Sequence, residues 1–507
     1  MLNYTEFAAG VLMLMNDPFT FVMILAGLVV GLVAGSMPGV SNTMAMAICL
    51  PMTLYMDFMP AVMFLTAIFT GSGFGGAIPA ILMGLPGTPP AVATTFDGYP
   101  MARKGMHNEA LGIGLISSCF GVIFSYVFLL FLVVPLAAWV MRLGPAEMLM
   151  IAIWGLTMIA SLGGKHVARG LIAGAFGLLL GTVGMNTSGY LRDFNVDFLL
   201  DGIPVVPAMM GLLAASQLFT MVGTKFLVTD ERLRKASYGR VVSGMASVLR
   251  AKKTLLRGSL IGALIGAVPG VGGSIANLIS YSMQKRSDSD AASYGEGNPK
   301  GVIAAESANS SSEGGSMVTM LALGIPGGGG TAMLLAAFLM HNVACGPQFI
   351  ANSMDLVYMI IVGNFFQAIL LIFVGMAFLA IAGNIVRVSL TVLIPSVLVL
   401  ALFGSFSVTG DWSGPITLFA CAALGWMMKR YDYPVAATVV GLILGRMVES
   451  ELIRTWQLGA GKISFLVERP VALVFLCLLI LSLFQPMISN WLVKRRQSAE
   501  TSKGGSD

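Results

Sequence analysis

A chain of 507 residues that is 56% apolar and 10% charged, with a mean hydropathy of +0.86, cannot fold as a water-soluble globule and reads as a membrane protein. Its net charge of +5 lies in the loops and tail of such a chain and does not suggest nucleic acid. Its five cysteines (Cys49, Cys119, Cys345, Cys421 and Cys477) stand in apolar runs without CxxC spacing, so neither disulfides nor a metal site is expected.

No Lys or Arg precedes Arg103, so the basic start of a cleaved secretory signal is missing and the amino terminus is expected to be retained. Residues 20–37 are apolar and glycine-spaced, 43–56 and 60–70 are apolar, and 77–93 are apolar but broken at Pro79 and at Pro86-Gly87. A straight span needs about 20 apolar residues, so several of these pieces read as half-helices or re-entrant hairpins. Asp57 and Asp97 are expected at the interface. After Asp97-Gly98-Tyr99-Pro100 and Arg103-Lys104, residues 110–141 suffice for a strongly tilted crossing, and apolar stretches follow near 146–162, 168–188 and 204–224. Residues 225–257 break the pattern with Lys225, Arg232, Arg234, Lys235, Arg240, Arg250, Lys252, Lys253 and Arg257 against Asp230 and Glu231. The positive-inside rule puts this linker in the cytoplasm.

The second half repeats short segments at 258–268, 273–284, 315–324 and 331–345, then longer ones near 355–383, 389–409, 412–428, 433–448 and 470–493. The tail, with Lys494-Arg495-Arg496, is expected to be cytoplasmic, whereas residues 1–20 carry Glu6 and Asp17 but no base and are expected on the periplasmic side. The organisation predicted is a first membrane repeat over 1–224, a basic linker over 225–257, a second repeat over 258–493 and a tail over 494–507. The fold class predicted is an all-α polytopic membrane protein of roughly 10–12 spans.

An internal duplication supports the two repeats. Gly27, Gly31 and Gly35 lead into Pro38-Gly39, and Gly258, Gly262 and Gly266 lead into Pro269-Gly270, all at an offset of 231, since 258 − 27 and 269 − 38 agree. Gly84-Leu85-Pro86-Gly87 returns as Gly324-Ile325-Pro326-Gly327 at an offset of 240, since 324 − 84 and 326 − 86 agree. With the amino terminus outside and the linker inside, the copies begin from opposite faces, which is the inverted-topology arrangement of secondary transporters with discontinuous helices. The glycine triplets themselves read as small-xxx-small packing ridges.

The chemistry is predicted at the breaks. Each is followed by a hydroxyl or amide suited to cap a new helix: Ser41, Asn42 and Thr43; Thr88 before Pro89; Ser274; and Thr331. A helix start exposes unpaired N–H groups and attracts anions. Kinks or ordinary loops between spans are the alternative, which duplication of all four breaks weakens. Candidate substrate contacts are Ser41, Asn42, Thr43, Gly87, Thr88, Gly272, Ser274, Asn277, Gly327 and Thr331, with Pro38, Gly39, Pro86, Pro269, Gly270 and Pro326 as the break or hinge positions. The polar stretch 295–316 reads either as a cytoplasmic loop or as a helix in which Glu306, Asn309 and Ser310 share a face. In the second reading Glu306 and Asn309 are candidates for cation coupling. Gly71 to Gly76 satisfies GxGxxG without a preceding strand, and Gly327 to Gly330 lacks a following Gly-Lys-Ser/Thr, so no nucleotide cofactor is expected.

Gly75-Gly76-Ala77-Ile78-Pro79-Ala80-Ile81-Leu82 through Pro86-Gly87-Thr88-Pro89, Asp97-Gly98-Tyr99-Pro100-Met101-Ala102-Arg103-Lys104-Gly105, Pro269-Gly270-Val271-Gly272-Gly273, Glu306-Ser307-Ala308-Asn309 and Leu323-Gly324-Ile325-Pro326-Gly327 together resemble the large membrane subunit of the tripartite tricarboxylate transporters. The resemblance implies a bacterial inner-membrane secondary transporter fed by a periplasmic solute-binding protein, assisted by a small membrane subunit and driven by a sodium or proton gradient. Two stretches depart from the family's frequent pattern: Ala305-Glu306-Ser307-Ala308-Asn309-Ser310 stands for Pro-Glu-Ala-Ala-Asn-Asn, and Gly327 to Gly330 for a Pro-Gly-Ser-type tip.

Uptake of a small carboxylate-bearing anion, di- or tricarboxylate-like, is the function predicted. No Lys or Arg lies in the apolar cores near the breaks, so helix-start amides and Ser, Thr or Asn side chains must supply the attraction, with a co-transported cation offsetting the remaining charge. A passive anion channel would need a continuous polar pore. A membrane-embedded enzyme would need a catalytic constellation, and neither HExxH, GxSxG nor paired histidines occur.

Overall fold

The computed structural model describes residues 4–37, 40–140, 143–162, 167–185, 190–221, 237–269, 272–385, 390–462, 465 and 468–480. Their regular structure is helical except for one hairpin, in which β1 (Gly184–Met185) pairs antiparallel with β2 (Leu191–Arg192). A helix satisfies its own N–H and C=O groups, and lipid permits little else. Among the described residues four helices are long and apolar enough to cross a membrane: Pro18–Gly35, Phe58–Met83, His107–Leu132 and Met354–Ala380. The chain is the all-α polytopic membrane protein that its hydropathy predicts.

In chain order the helices begin with α1 (Tyr4–Asn16), α2 (Pro18–Gly35), α3 (Asn42–Cys49), α4 (Phe58–Met83), α5 (Val92–Arg103), α6 (His107–Val140), α7 (Pro145–Leu162) and α8 (Val167–Gly181). Next come α9 (Val205–Met209), α10 (Ser216–Met221), α11 (Tyr238–Val248), α12 (Lys252–Gly266), α13 (Gly272–Ser287), α14 (Pro299–Leu323) and α15 (Gly329–Met340). The last are α16 (Pro347–Asn352), α17 (Met354–Ile385), α18 (Leu390–Thr409), α19 (Ser413–Arg430) and α20 (Val435–Leu458). By internal contacts the chain forms two compact units, Met1–Arg142 with Pro204–Met427, and Leu143–Ile203 with Met428–Asp507. Both copies of the duplicated breaks fall in the first.

The glycine ridges are packing seams. A side chain on Gly27, Gly31 or Gly35 of α2 would press into the carbonyl oxygens of Phe64, Ile68 and Ser72 of α4 in turn. On α12, Gly258, Gly262 and Gly266 meet the carbonyls of Ala304, Ala308 and Ser312 of α14 in the same way. The partners keep the duplication, since 304 − 64, 308 − 68 and 312 − 72 all equal 240. In lipid, where apolar burial supplies little drive, such close backbone approach holds helices together.

One expectation is corrected here, and one open alternative is decided. Pro79 does not break the chain, because α4 runs through it to Met83. The proline forfeits one hydrogen bond and crowds the Gly75 carbonyl, but the turn is buried on both flanks and the neighbouring Gly76 carbonyl accepts the Gly87 N–H at 3.1 Å. Nor is 295–316 a loop throughout: it is helical from Pro299, and every residue from Gly301 to Ala322 is buried. Of the basic linker, residues 225–236 lie outside the described residues; the rest forms α11, which packs on α6 through Gly112 and Gly244, and the start of α12.

In the second unit α8 and α20 interleave glycines. Gly177 and Gly181 face the Thr438 and Leu442 carbonyls, and Gly441 faces the Gly174 carbonyl. Arg192 pairs with Glu449 beside a cavity of about 400 Å³ lined in part by Thr182, Asp201, Arg446 and Ser450.

Candidate substrate and coupling site

α4 and α14 end identically. The residues after them, Gly84 and Gly324, both adopt the left-handed conformation with φ 69° and ψ 16°, which glycine takes without strain. Each is followed by an apolar residue, Pro and Gly, forming a tip that turns back on its own repeat. A Cβ on Gly87 would overlap the Gly35 carbonyl, and one on Gly327 would lie 2.7 Å from Ser316 Cβ. Ser316, the counterpart of Gly76 (316 − 76 = 240), donates from Oγ to the Gly266 carbonyl at 3.1 Å.

The caps follow the predicted pattern at two of the breaks. Ser41 Oγ accepts from Met44 N at 3.1 Å and starts α3, while Asn42 Oδ1 accepts from Thr43 N at 2.8 Å. Thr331 Oγ1 accepts from Gly328 N at 3.0 Å, closing the first turn of α15. Thr88 does not cap, a correction with a plain cause. Pro89 and Pro90 have no N–H to give, and the next donor, Ala91 N, bonds the Thr88 carbonyl at 2.9 Å. The Thr88 hydroxyl is therefore left buried without a partner. Gly272 begins α13; the Ser274 side chain lies outside the described residues, as do Pro38, Gly39, Gly270 and the tail 494–507.

Each tip meets the short-helix start of the other copy. A Cβ on Gly273, at the head of α13, would sit 3.4 Å from Pro90 Cβ and 3.0 Å from Asn309 Oδ1. Reciprocally, Gly329 faces the Thr43 side chain and Gly330 faces the Phe69 ring at 2.8 Å. These are counterparts, since 330 − 90 and 309 − 69 equal 240 and 273 − 42 equals 231. Between the two contacts α4 crosses α14: Thr70 Oγ1 donates to Glu313 Oε1 at 2.7 Å, and Gly73 faces Ser310 Oγ at 3.8 Å. The breaks thus flank one crossing inside the first unit.

Two carboxylates lie on α14. Glu306 is fully buried and accepts from Thr94 Oγ1 of α5 and, at 3.0 Å, from Ser118 Oγ of α6. Glu313, which sequence reasoning missed, is also buried; besides Thr70, Tyr126 OH of α6 donates to its Oε1 at 3.3 Å. The signal was present, because 306, 309, 310 and 313 continue one helix face. On α13, Asn277 is buried with neither amide atom partnered, while the Asn309 amide of α14 lies beside the Glu306 carboxyl.

Asp97 is fully buried and serves as a clamp. Its Oδ1 accepts from the backbone of Gly295, Gly297 and Asn298 at 2.8, 2.9 and 2.8 Å, and its Oδ2 from Tyr281 OH at 2.9 Å. In the same connection the Lys300 ammonium and the Tyr294 hydroxyl hold the Asp288 carboxyl down to about 2.

The model of the tripartite tricarboxylate transporter TctA family matches residues 21–440. The chain is 28% identical over 460 residues, 90% of each chain, to an uncharacterized 52.8 kDa protein in the TAR-I ttuC' 3'region of Agrobacterium vitis. It is 26% identical over 236 residues, 46% of this chain and 98% of the relative, to an uncharacterized protein in the TAR-II ttuC' 3'region of the same organism. No solved structure matches it.

Proposed function

The chain belongs to the tripartite tricarboxylate transporter TctA family, as the large membrane subunit of such a system, and from that premise we propose that it performs secondary active uptake of a small di- or tricarboxylate-like anion across the bacterial inner membrane. In this reading a periplasmic solute-binding protein delivers the anion, a small membrane subunit completes the assembly, and a sodium or hydrogen ion gradient supplies the drive.

The observation that carries the proposal is the reciprocal exchange of contacts around the α4/α14 crossing, where each tip leans on the opposite copy's helix start. Thr70 meets the counterpart of position 73, and Gly73 meets the counterpart of position 70. Contacts in which one number rises as the other falls are those of antiparallel helices related by a two-fold axis, which supports inverted repeats. The repeat limits 1–224 and 258–493 are then limits of duplication, not of compact units. Labelling of single cysteines introduced at the two termini is expected to come from opposite faces of the membrane.

The two tips differ in what they offer an anion. Pro89 and Pro90 leave the first tip without helix-start donors, whereas Gly329 and Gly330 open α15 with free first-turn amides. A carboxylate is bound at the second tip, with the Thr88 hydroxyl and the Asn277 amide selecting from the other side, and Glu306 with Asn309 lies on the path of the coupling cation. Thr88→Val and Asn277→Leu, which keep shape and remove polarity, are expected to cut uptake by about tenfold, the cost of one lost hydrogen bond. Thermal stability should hold or rise, because an unpartnered polar group has been removed. Normal uptake with a lowered melting temperature would assign both residues to structure instead.

Proteoliposomes holding this chain and its small subunit, supplied with the cognate binding protein, test the whole reading. One of citrate, malate or tartrate is expected to accumulate above its outside concentration, and collapse of the ion gradient should abolish that accumulation. Equilibration without accumulation would make the protein a passive channel.

A further inference from the structure

The groups around Glu313 carry a step beyond this reading and rest on it. α4 holds no ionisable residue between Phe58 and Met83, and neither do α15 and α16. On α6 the groups besides Tyr126 that can ionise are the buried thiol of Cys119, which carries no positive charge in either form, and His107 and Glu109, which lie 19 and 17 residues before Tyr126, about 25 Å or more along the helix. α12 carries Lys252, Lys253 and Arg257 at its start, and Arg257 is turned to Ser287; α13 carries Lys285 and Arg286 at its far end. α5 contributes Asp97, held by its own clamp, and Arg103 in its last turn, while α17 contributes Asp355 in its first turn and Tyr358 beside α1. On α14 itself Lys300 is paired with Asp288, and Glu306 stands two turns from Glu313.

Among the described residues no fixed cation therefore faces Glu313. A bare carboxylate out of water costs several kcal/mol, so it is neutralised by a proton or by a bound metal ion. The donors decide between them. Thr70 Oγ1 and Tyr126 OH both aim hydrogens at the same atom, Oε1. A metal ion wants lone pairs directed at it from several oxygens, whereas two donating hydroxyls suit a carboxyl group whose other oxygen holds a proton.

We propose that Glu313 is a proton-binding site, its proton held at Oε2 and exchanged with water once per transport cycle, so that the coupling ion is H⁺. Binding turns the carboxylate into a carboxylic acid and release returns the proton to water; no other reactant is needed. Thr70 comes from one repeat and Glu313 from the other, so the titrating group sits on the contact that joins the copies.

Two measurements on the full assembly in lipid test this. Infrared titration should find a protonated carboxyl band at neutral pH that weakens in Glu313→Gln; identical spectra would overturn the assignment. In sodium-free proteoliposomes a proton gradient should drive uptake of whichever of citrate, malate or tartrate is carried, and Glu313→Gln should lose about tenfold or more of that driven uptake while keeping substrate exchange. Unchanged driven uptake in the variant, or wild-type uptake driven by sodium and not by protons, would overturn it. If Glu313→Gln also loses exchange, Glu313→Asp decides, since recovery with a displaced pH profile supports the proton site and no recovery counts against it. Thr70→Val should raise the pH midpoint of proton binding, because a hydrogen bond to the charged form is lost. If no carboxylate accumulates under either gradient, the transport reading fails, and the infrared arm still judges Glu313.

Discussion

Gly31→Val and Gly262→Val are each expected to leave almost no folded protein, although neither residue touches the proposed substrate. Gly31 rests on the Ile68 carbonyl, with Ser72 N 2.9 Å from where a Cβ would be; Gly262 rests on the Ala308 carbonyl, with Ala308 Cα at 2.7 Å. These obstacles are backbone atoms of buried helices and cannot rotate aside. A branched side chain must therefore part α2 from α4, or α12 from α14, along the whole seam. Overpacking a core costs about 1–3 kcal/mol where side chains can adjust, and more where backbones must separate. Gly239→Ala is the control. That glycine lies exposed on α11 with nothing within 4 Å of a Cβ, and alanine there should stabilise by about 0.5–1 kcal/mol. Melting temperatures in detergent, followed by size-exclusion chromatography, check all three. A Gly262→Val protein that melts like the parent would end the account of the seams.

These seams were legible in the sequence because a spacing of four residues on a helix places small residues on one face, and no other element gives that spacing the same use. The duplication was legible for the same reason. A glycine that must be left-handed, at Gly84 and again at Gly324, survives divergence when the residues around it change. What the sequence hid depends on pairings distant along the chain. Glu313 gains its meaning from Thr70, 243 residues earlier, and Asp97 from backbone groups 198 to 201 residues later. The second unit is assembled likewise, with Thr438 Oγ1 donating to the Ala173 carbonyl across 265 residues. No local periodicity reports such contacts.

Thr88 and Pro79 misled for a more local reason. A hydroxyl ahead of a helix predicts a cap only if the next residues own N–H groups, and Pro89-Pro90 own none. A proline predicts a break only where nothing holds the two halves in line, and α4 is buried on both sides of Pro79. Both misreadings have functional weight. The missing cap leaves the Thr88 hydroxyl without a partner, which is what the proposed substrate contact rests on, and the unbroken α4 carries the first repeat across the crossing to its tip.

Asp97→Ala is expected to be the most damaging change among the acidic residues, through stability and not through substrate contact. Gly295 and Gly297 adopt φ of 95° and 101°, which lets three loop amides, those of Gly295, Gly297 and Asn298, point at a single oxygen. That oxygen also lies before the first turn of α14, where a negative charge is favoured. Alanine would strand three N–H groups and the Tyr281 hydroxyl, at about 1–3 kcal/mol each where water cannot enter. Water reaches Gly295, which is exposed, so a total loss of about 3–5 kcal/mol is expected. Asn keeps an oxygen for the three amides and loses only the charge and the bond from Tyr281, so Asp97→Asn should cost about 1–2 kcal/mol. Lys285, Arg286 and Lys300 flank the clamped connection, which makes trypsin a local probe beside the melting temperature. Alanine should open those sites to rapid cleavage and asparagine should do so weakly. If the two variants are cut and melt alike, the charge and its geometry are not what hold the head of α14 in place.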